Sequence, residues 1–490
     1  MNPDPSNENP FEPGENCWRV ERCNRAALIV DAADYFRIAR QVMLQAKEQI
    51  LMIGWDFDTR ISLDPRGDEG PAKLGPFLSW LPDRQPGLHI YVLKWDVGAI
   101  NLLARGSTLL RIARWALGGD ISYKLDGAHP PGASHHHKIV VIDDQLAFCG
   151  GIDMTGDRWD TRDHLDCDDR RKRPTTRRRY DPWHDSTMAV DGDAARALGT
   201  LARARWAAAG GTPIDAPTTS IPIWPEDLSP TFSDVRVAIS RTRGACDGEE
   251  AIREIEKLFL DQIGRARRFL YFESQYFGSR AIAGAIIDRL AEPEGPEIVV
   301  INPKTAEGWL EEAAMSPARA RLLAAIGEAD CHGRFKIYTP VTNGGKDIYV
   351  HSKILIADDE VIRVGSANLN NRSMGLDTEC DLTIDARAKG NGSAAQEIPR
   401  IRESLLAEHL GVPAEQVRRE FGRSNSLIAT IEALRGVSRT LVPFVPDEPN
   451  AIEEAIPLNE LLDPESDSDC FEPLARPTLS ATLKRMTGLG

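Results

Sequence analysis

The sequence predicts an α/β layer fold present twice, on three observations. The first is an internal repeat. The stretch from His136 through Lys138, Asp143 and Gly150 to Asp153 aligns without a gap, at an offset of 215, on the stretch from His351 through Lys353, Asp358 and Gly365 to Asn368. The second is that the neighbouring apolar runs recur in the same order: 50–56 with 269–275, 90–93 with 298–301, and 184–191 with 378–385. Short β-branched runs of this kind read as buried strands. The third is the helical patterning between them, at 34–46, 251–266 and 281–290. Strands alternating with helices form a sheet covered by helices.

Taken in order, residues 1–24 are an acidic, proline-rich extension, and 25–212 the first half, with its motif at 130–157. Residues 213–234 lie in a Pro-, Thr- and Ser-rich joint, and 235–412 form the second half, with its motif at 345–372. Two helices, at 414–421 and 427–434, make 413–440 a helical segment, and 441–490 reads as an acidic, proline-containing tail with one further short helix at 479–486.

Composition narrows the class. The chain has 490 residues, 42% hydrophobic and 27% charged, with no apolar run of the eighteen or more residues that a spanning helix needs, so an integral membrane protein is not expected. The N-terminus shows no signal peptide, and the eight cysteines form no Cys-x-x-Cys pair. A cytoplasmic or peripheral-membrane location follows as the expectation, with non-classical secretion left open. The net charge of −15 sits at the ends: residues 447–472 carry ten acids and 1–15 carry four, neither with a Lys or Arg. The body between them is near neutral, so the overall acidity does not argue against an anionic substrate.

The repeated unit has a chemical reading. Residues i and i+2 of a strand share a face, so His136 projects with Lys138 and His351 with Lys353. Asp143 and Asp358 have the opposite parity and are read as holding the following turn. Two units paired about a pseudo-twofold axis would place two imidazoles and two ammonium groups in one pocket, an arrangement suited to a phosphodiester. One imidazole attacks phosphorus while the other protonates the leaving oxygen, then activates water or an alcohol. Lys138, Lys353, Asn368 and Ser366 are the candidates to bind phosphate, and Asp185 and Glu379 to orient the histidines. The run His135-His136-His137 is not read as a metal site, because adjacent strand residues face opposite ways and no carboxylate or cysteine sits at ligand spacing. No metal and no cofactor is expected.

These residues resemble the phospholipase D superfamily, whose signature is a duplicated His-x-Lys-x4-Asp motif; the resemblance covers most of 25–412. It implies two tandem α/β/α sandwich halves with the active site at their interface, and a metal-independent route through a covalent phosphohistidine. By position, His136 would be the nucleophile, His351 the general acid, and Glu379 a histidine-orienting acid. The segments 150–160, Pro182-Trp-His-Asp185 and Glu273-Ser-Gln-Tyr-Phe277 look like the catalytic core of the large eukaryotic phospholipases D. Two departures stand out. Asp153 occupies the place of Asn368, which predicts asymmetric phosphate binding, and Ser274 replaces the usual asparagine.

For the substrate, the run Arg170-Arg-Lys-Arg-Pro-Thr-Thr-Arg-Arg-Arg179 holds seven bases in ten and reads either as a solvated loop or as a contact for anionic membrane. Trp159, Trp183 and Tyr276 are candidate headgroup or interfacial contacts. The expected activity is hydrolysis of a phosphatidylcholine-like glycerophospholipid to phosphatidic acid and a free alcohol, with transphosphatidylation. A cardiolipin-type synthase is the alternative, and a phosphodiesterase nuclease, with the basic run on nucleic acid, the alternative of another class. A non-enzymatic binding module ranks last, since both histidines and both lysines are kept. The chain is expected to be a monomer.

Overall fold

A computed structural model describes residues 9–445, apart from 66, 68, 97–106, 247, 307 and 308, together with Asp463. The first half runs β1 (Arg19–Val30), α1 (Ala32–Met43), β2 (Gln49–Gly54), α2 (Leu74–Arg84), β3 (His89–Trp95), α3 (Ser107–Gly118), β4 (Ile121–Asp126), β5 (Ile139–Ile142), β6 (Leu146–Gly150), β7 (Trp183–His184), β8 (Ser186–Asp191) and α4 (Gly192–Ala208). The second runs β9 (Phe232–Arg243), β10 (Ile252–Arg253), α5 (Glu254–Arg265), β11 (Phe269–Glu273), α6 (Arg280–Ala291), β12 (Glu297–Ile301), α7 (Trp309–Ala329), β13 (Phe335–Val341), β14 (Tyr349–Val350), β15 (Ile354–Ala357), β16 (Val361–Gly365), α8 (Asn371–Gly375), β17 (Glu379–Asp385), α9 (Ala394–Leu410), α10 (Ala414–Ser424), α11 (Leu427–Leu434) and β18 (Thr440–Pro443).

The two halves share one sheet. Its order from one edge is β4-β3-β2-β5-β6-β8-β1, continuing β9-β17-β16-β15-β11-β12-β13-β18, with β10 beside β9. The sequence of strands on one side of the antiparallel β1/β9 pair mirrors that on the other, and this pair runs from Arg19↔Ile239 to Ala26↔Phe232. One face carries a core common to both halves, in which Leu198 of α4 and Ile398 and Leu405 of α9 pack with Ile139, Val237 and Ile354. The opposite face is split, with α1 and α2 over the first half and α5 and α6 over the second. Helices on both faces make each half an α/β/α sandwich, and they explain why β5 (Ile-Val-Val-Ile) and β15 (Ile-Leu-Ile-Ala) are apolar throughout instead of alternating.

The duplicated aspartates do more than hold a turn. Asp143 and Asp144 both have positive φ (52° and 53°), as do Asp358 and Asp359 (56° and 62°), the backbone that a tight hairpin between right-twisted strands requires. From there the Asp143 carboxylate accepts the N–H groups of Lys47, Glu48 and Gln49 at 2.6–3.0 Å, and Asp358 those of Arg267, Arg268 and Phe269 at 2.7–2.9 Å. Each motif hairpin is thereby tied to the entry of the neighbouring strand, β2 or β11. Asp144 and Asp359 repeat the pattern outward, gripping Arg203 of α4 and Arg402 of α9.

Several boundaries differ from expectation. Ile50 pairs with Ile142 and Leu270 with Ala357, so Ile50 corresponds to Leu270, and the alignment of 50–56 with 269–275 is one residue out of register. A run buried on both faces has no alternation to set its register. Residues 413–440 are not a separate segment: Val417, Phe421, Leu427 and Ile431 join the common core, and β18, which straddles the expected boundary between 440 and the tail, pairs antiparallel with β13. Nor do residues 9–24 form a loose extension, because Phe11 and Cys17 are buried with Ala238 and Leu258, and β1 starts at Arg19. Most of the acidic stretch 447–472, the helix expected at 479–486 and residues 1–8 lie outside the described residues. Among the described residues no helix is long and apolar enough to cross a membrane.

Candidate active site

The two motifs meet where the halves meet. His136 and Lys138 do not lie within β5 but on the extended segment just before it, and His351 and Lys353 stand likewise between β14 and β15. Each histidine is anchored by its backbone to the other half: His136 N–H donates to Thr378 C=O (3.0 Å), and His351 N–H to His184 C=O (2.8 Å). The next residue in each acceptor segment is a candidate orienting acid. The result is a crossed arrangement.

His136 Nδ1 lies 2.9 and 3.0 Å from the two oxygens of Glu379, while His351 Nδ1 lies 2.7 Å from Asp185 Oδ2. Each acid therefore serves the histidine of the opposite half. A carboxylate, which only accepts, makes Nδ1 the protonated nitrogen and leaves Nε2 with a free lone pair. Both histidines line one cavity of about 300 Å³, together with Asn368, Arg158, Gln275 and Tyr276.

The acids are held differently. Glu379 accepts from the Ser366 hydroxyl (2.5 Å) and the Ser373 hydroxyl (2.7 Å). Ser366 was expected at the phosphate; its side chain is fully buried and its Oγ is directed to Glu379, which corrects that role to positioning. In the first half the equivalent residue is Gly151, where an added Cβ would stand 2.2 Å from Asp185 Oδ1, so only glycine admits this carboxylate. Asp185 takes its second bond from the Ser186 N–H at 2.7 Å.

The cations flank these groups. Lys138 Nζ donates to His136 C=O (3.0 Å) and lies 3.4 Å from Asp153 Oδ2. Lys353 Nζ donates to His351 C=O and reaches Gln275 Oε1 at 3.5 Å. Asn368 lines the cavity, with its Oδ1 buried and without a hydrogen-bond partner among the described residues.

Burial shapes the titration of the whole cluster. It pushes His136 well below the usual imidazole range, with the Lys138 and Lys353 charges adding to the effect. His351 is lowered likewise by burial, then by Lys353 and Arg158. Lys353 is brought down to about 7 by burial, against the pull of Asp185. Asp185 is raised to about 6 by burial, against Lys353, and burial also raises Glu379, against Lys138.

Arg158, Gln275 and Ser373 were not singled out from the sequence. Arg158 and Gln275 lie in segments that the resemblance had already marked, Gln275 directly beyond the end of β11. Ser373 gave no signal, because its partner Glu379 belongs to a separate strand.

The aromatic and basic candidates divide. Trp183 is buried, stacked on Tyr349 with ring centroids 4.6 Å apart and set against His351 at 5.0 Å, while Trp159 packs partly buried on the first-half core. Tyr276 lines the cavity. Most of the basic run faces carboxylates: Arg171 is buried on Asp160, Arg170 pairs with Asp168, Lys172 and Arg179 with Asp169, and Arg173 with Asp157. Its offer to an external anion narrows to the exposed Arg177 and Arg178. His135 and His137 are buried, with rings 5.0 Å apart and perpendicular, and His135 Nδ1 lies 2.8 Å from the Thr378 hydroxyl.

A family model described as phospholipase D matches residues 335–427. The chain is 25% identical over 417 residues to phospholipase D1 of Schizosaccharomyces pombe, covering 65% of this chain and 30% of that protein. It is 26% identical over 515 residues to phospholipase D alpha 1 of Zea mays, covering 75% of this chain and 62% of that one. It thus spans less than two thirds of the length of these relatives. Among solved structures, phosphatidylserine synthase of Haemophilus influenzae Rd KW20 superposes with a TM-score of 0.52 at 14% identity, covering 82% of this chain and 93% of that one, a likeness of fold.

Proposed function

Because the chain belongs to the phospholipase D superfamily, we propose that it is a phospholipase D, cleaving the headgroup from a phosphatidylcholine-like glycerophospholipid through a phosphohistidine. The observation that carries this reading is the crossed pair of histidines, each held through Nδ1 by a buried carboxylate of the other half and both lining one cavity.

His136 Nε2 attacks phosphorus, forming the N–P bond as the P–O bond to the headgroup breaks. The leaving oxygen takes a proton from His351 Nε2. Water, or an alcohol, then attacks phosphorus, gives its proton to the same nitrogen and releases His136. For its first step His351 must carry a proton that burial and the neighbouring cations Lys353 and Arg158 disfavour, and the negative charge of the phosphodiester offsets them. Lys138, Lys353 and Asn368 hold the non-bridging oxygens, with Arg158 beside them, where donors act most strongly because water is excluded. The protein works as a monomer at a membrane surface reached from the cytoplasm, and Arg177 and Arg178 supply the contact with anionic lipid, each worth about 1 kcal/mol or roughly fivefold in vesicle binding.

The test is to incubate the protein and His136→Asn with labelled phosphatidylcholine, phosphatidylglycerol and single-stranded DNA, with and without ethanol. Choline release, with phosphatidylethanol appearing when ethanol is present, is the expected result. Cardiolipin as the main product would reassign the chain to a lipid-acceptor synthase, and DNA cleavage without lipid turnover to a nuclease. Full activity in His136→Asn would overturn the covalent route.

A further inference from the structure

Behind the catalytic cavity lies a second cluster that the proposed chemistry does not use. Asp31, between β1 and α1, His164, in the loop after β6, His184 of β7 and Glu408 of α9 converge in the interior, none more than 4% exposed. Glu408 Oε1 lies 2.8 Å from His184 Nδ1 and 3.0 Å from His164 Nε2. Asp31 Oδ1 lies 3.4 Å from His184 Nδ1, and Asp31 Oδ2 lies 3.6 Å from His164 Nε2. Bonds of about 2.0–2.1 Å to a tetrahedral ion place its donor atoms about 3.3 Å apart, and these four separations bracket that value.

Three features distinguish this cluster from an ordinary hydrogen-bond network. Asp31 Oδ2 has no hydrogen-bond partner among the described residues, although the residue is 1% exposed. Leaving a carboxylate oxygen bare in the interior is costly unless a cation faces it. The far nitrogen of each imidazole also carries a carboxylate: His164 Nδ1 lies 3.0 Å from Asp160 Oδ2, itself held by Arg171, and His184 Nε2 lies 2.9 Å from Glu273 Oε2. Such outer carboxylates fix the tautomer of metal-bound histidines. Finally, the charges do not balance with neutral imidazoles. Among the described residues, Arg171 and Arg162 are the permanent cations in ion-pair contact with Asp31, Asp160, Glu273 and Glu408, which leaves two unit negative charges.

We propose that Asp31, His164, His184 and Glu408 bind one divalent transition-metal ion, with zinc the best match to two imidazole nitrogens and two carboxylate oxygens in four-coordination. The ion pins together four segments distant in the sequence. One of them, β7, ends beside Asp185, so the metal is a structural staple behind the orienting acid of His351 and takes no part in the phosphoryl step. Because the site is enclosed, the ion enters as the chain folds.

The test uses the full chain without an affinity tag, unfolded in urea with chelator and refolded with Zn²⁺, Mn²⁺ or Co²⁺, or with chelator alone. The expected result is one tightly held ion per chain by elemental analysis, a visible Co²⁺ spectrum of tetrahedral intensity, and a higher melting temperature than the chelator-refolded protein. Metal content should fall at least tenfold in His164→Ala and Glu408→Gln and stay unchanged in His409→Gln, whose imidazole bonds Glu273 outside the ligand set. If the ligand variants do not fold, the wild-type stoichiometry, with X-ray absorption showing two imidazoles in the coordination shell, decides alone. A wild-type chain that refolds to the same melting temperature with less than a tenth of an ion in every condition overturns the proposal and leaves two protons as the balancing charge. Neither result depends on lipid turnover, so the site can fail while the phospholipase reading stands, and the reverse.

Discussion

The two halves are built on one plan and differ most beyond their motif hairpins. In the first half the residue three places beyond Gly150 is Asp153, whose carboxylate accepts the Trp55 N–H at 3.1 Å and stands 3.4 Å from Lys138 Nζ. In the second it is Asn368, which lines the cavity with its Oδ1 unpartnered among the described residues. The first-half cation is thus already faced by a carboxylate, whereas the second-half amide lines the cavity. The connection to the next long strand differs too, spanning 151–185 in the first half and only 366–378 in the second. On the proposed chemistry the duplicated scaffold is divided between tasks: the first half supplies the nucleophile, and the second the amide at the phosphate.

The largest effects should come from breaking the histidine pair. His136→Asn and His351→Asn should each lower kcat by about 10²–10⁴-fold. They should separate on a p-nitrophenyl phosphodiester, whose leaving group needs no proton. There His351→Asn should still form a trapped phosphoenzyme with a burst of nitrophenol, and His136→Asn should form none. A burst in His136→Asn and none in His351→Asn would reverse the assigned roles.

Next come the crossed acids. Glu379→Gln should slow formation of the phosphoenzyme and Asp185→Asn the proton-dependent steps, each by about 10²-fold or more, because the wrong tautomer is then favoured. Rapid-quench measurement of the two steps separates them. Equal slowing of both steps by each variant would mean that the acids act through a shared network and not on one histidine each.

The Asp153/Asn368 asymmetry should give a smaller, directional effect. Asn368→Asp sets a carboxylate against the phosphate and should cut kcat/KM by about 10²-fold, whereas Asp153→Asn, which frees Lys138, should change it by about tenfold or less. Similar losses from both would show that the halves grip phosphate equally.

The gentlest probe is pH. Asp185 and Glu379 must be ionised, and burial raises them to about 6 and about 8, while Lys353 must be charged and burial lowers it to about 7. For the free enzyme kcat/KM should therefore peak between about pH 7 and 8 and fall on either side, and Lys353→Arg should remove the alkaline limb. Stability has a definite sign. Because Lys353 binds its proton less tightly folded than unfolded, the unfolded chain holds more protons between about pH 7 and 10.5, and stability from this group rises across that window. Lys353→Met should accordingly raise the melting temperature more at pH 6 than at pH 10.

The repeat, the α/β alternation and the four motif side chains were legible in the sequence because they depend on local patterns: a spacing of two residues, apolar runs of strand length, and an ungapped copy. The same local logic picked out Asp185 and Glu379, since each sits at the same place in a recurring strand. It could not reveal that they cross, because which carboxylate meets which imidazole depends on how the halves dock through the His136–Thr378 and His351–His184 backbone bonds. Nor could it separate the roles of Ser366 and Gly151, which turn on one ångström-scale approach of a carboxylate. The one-residue register of β11 was hidden for another reason, since a strand buried on both faces carries no alternation.

By itself, then, the sequence determined that this chain is two α/β units with a pair of histidines and lysines to bring together. Only the tertiary structure decided which acid holds which histidine, that five of the seven bases of residues 170–179 face carboxylates, and that Asp31, His164, His184 and Glu408 meet at all. Hydrogen bonds act over about 3 Å, and residues that come within that range here lie as far as 277 positions apart in the chain, as Arg439 and Arg162 do.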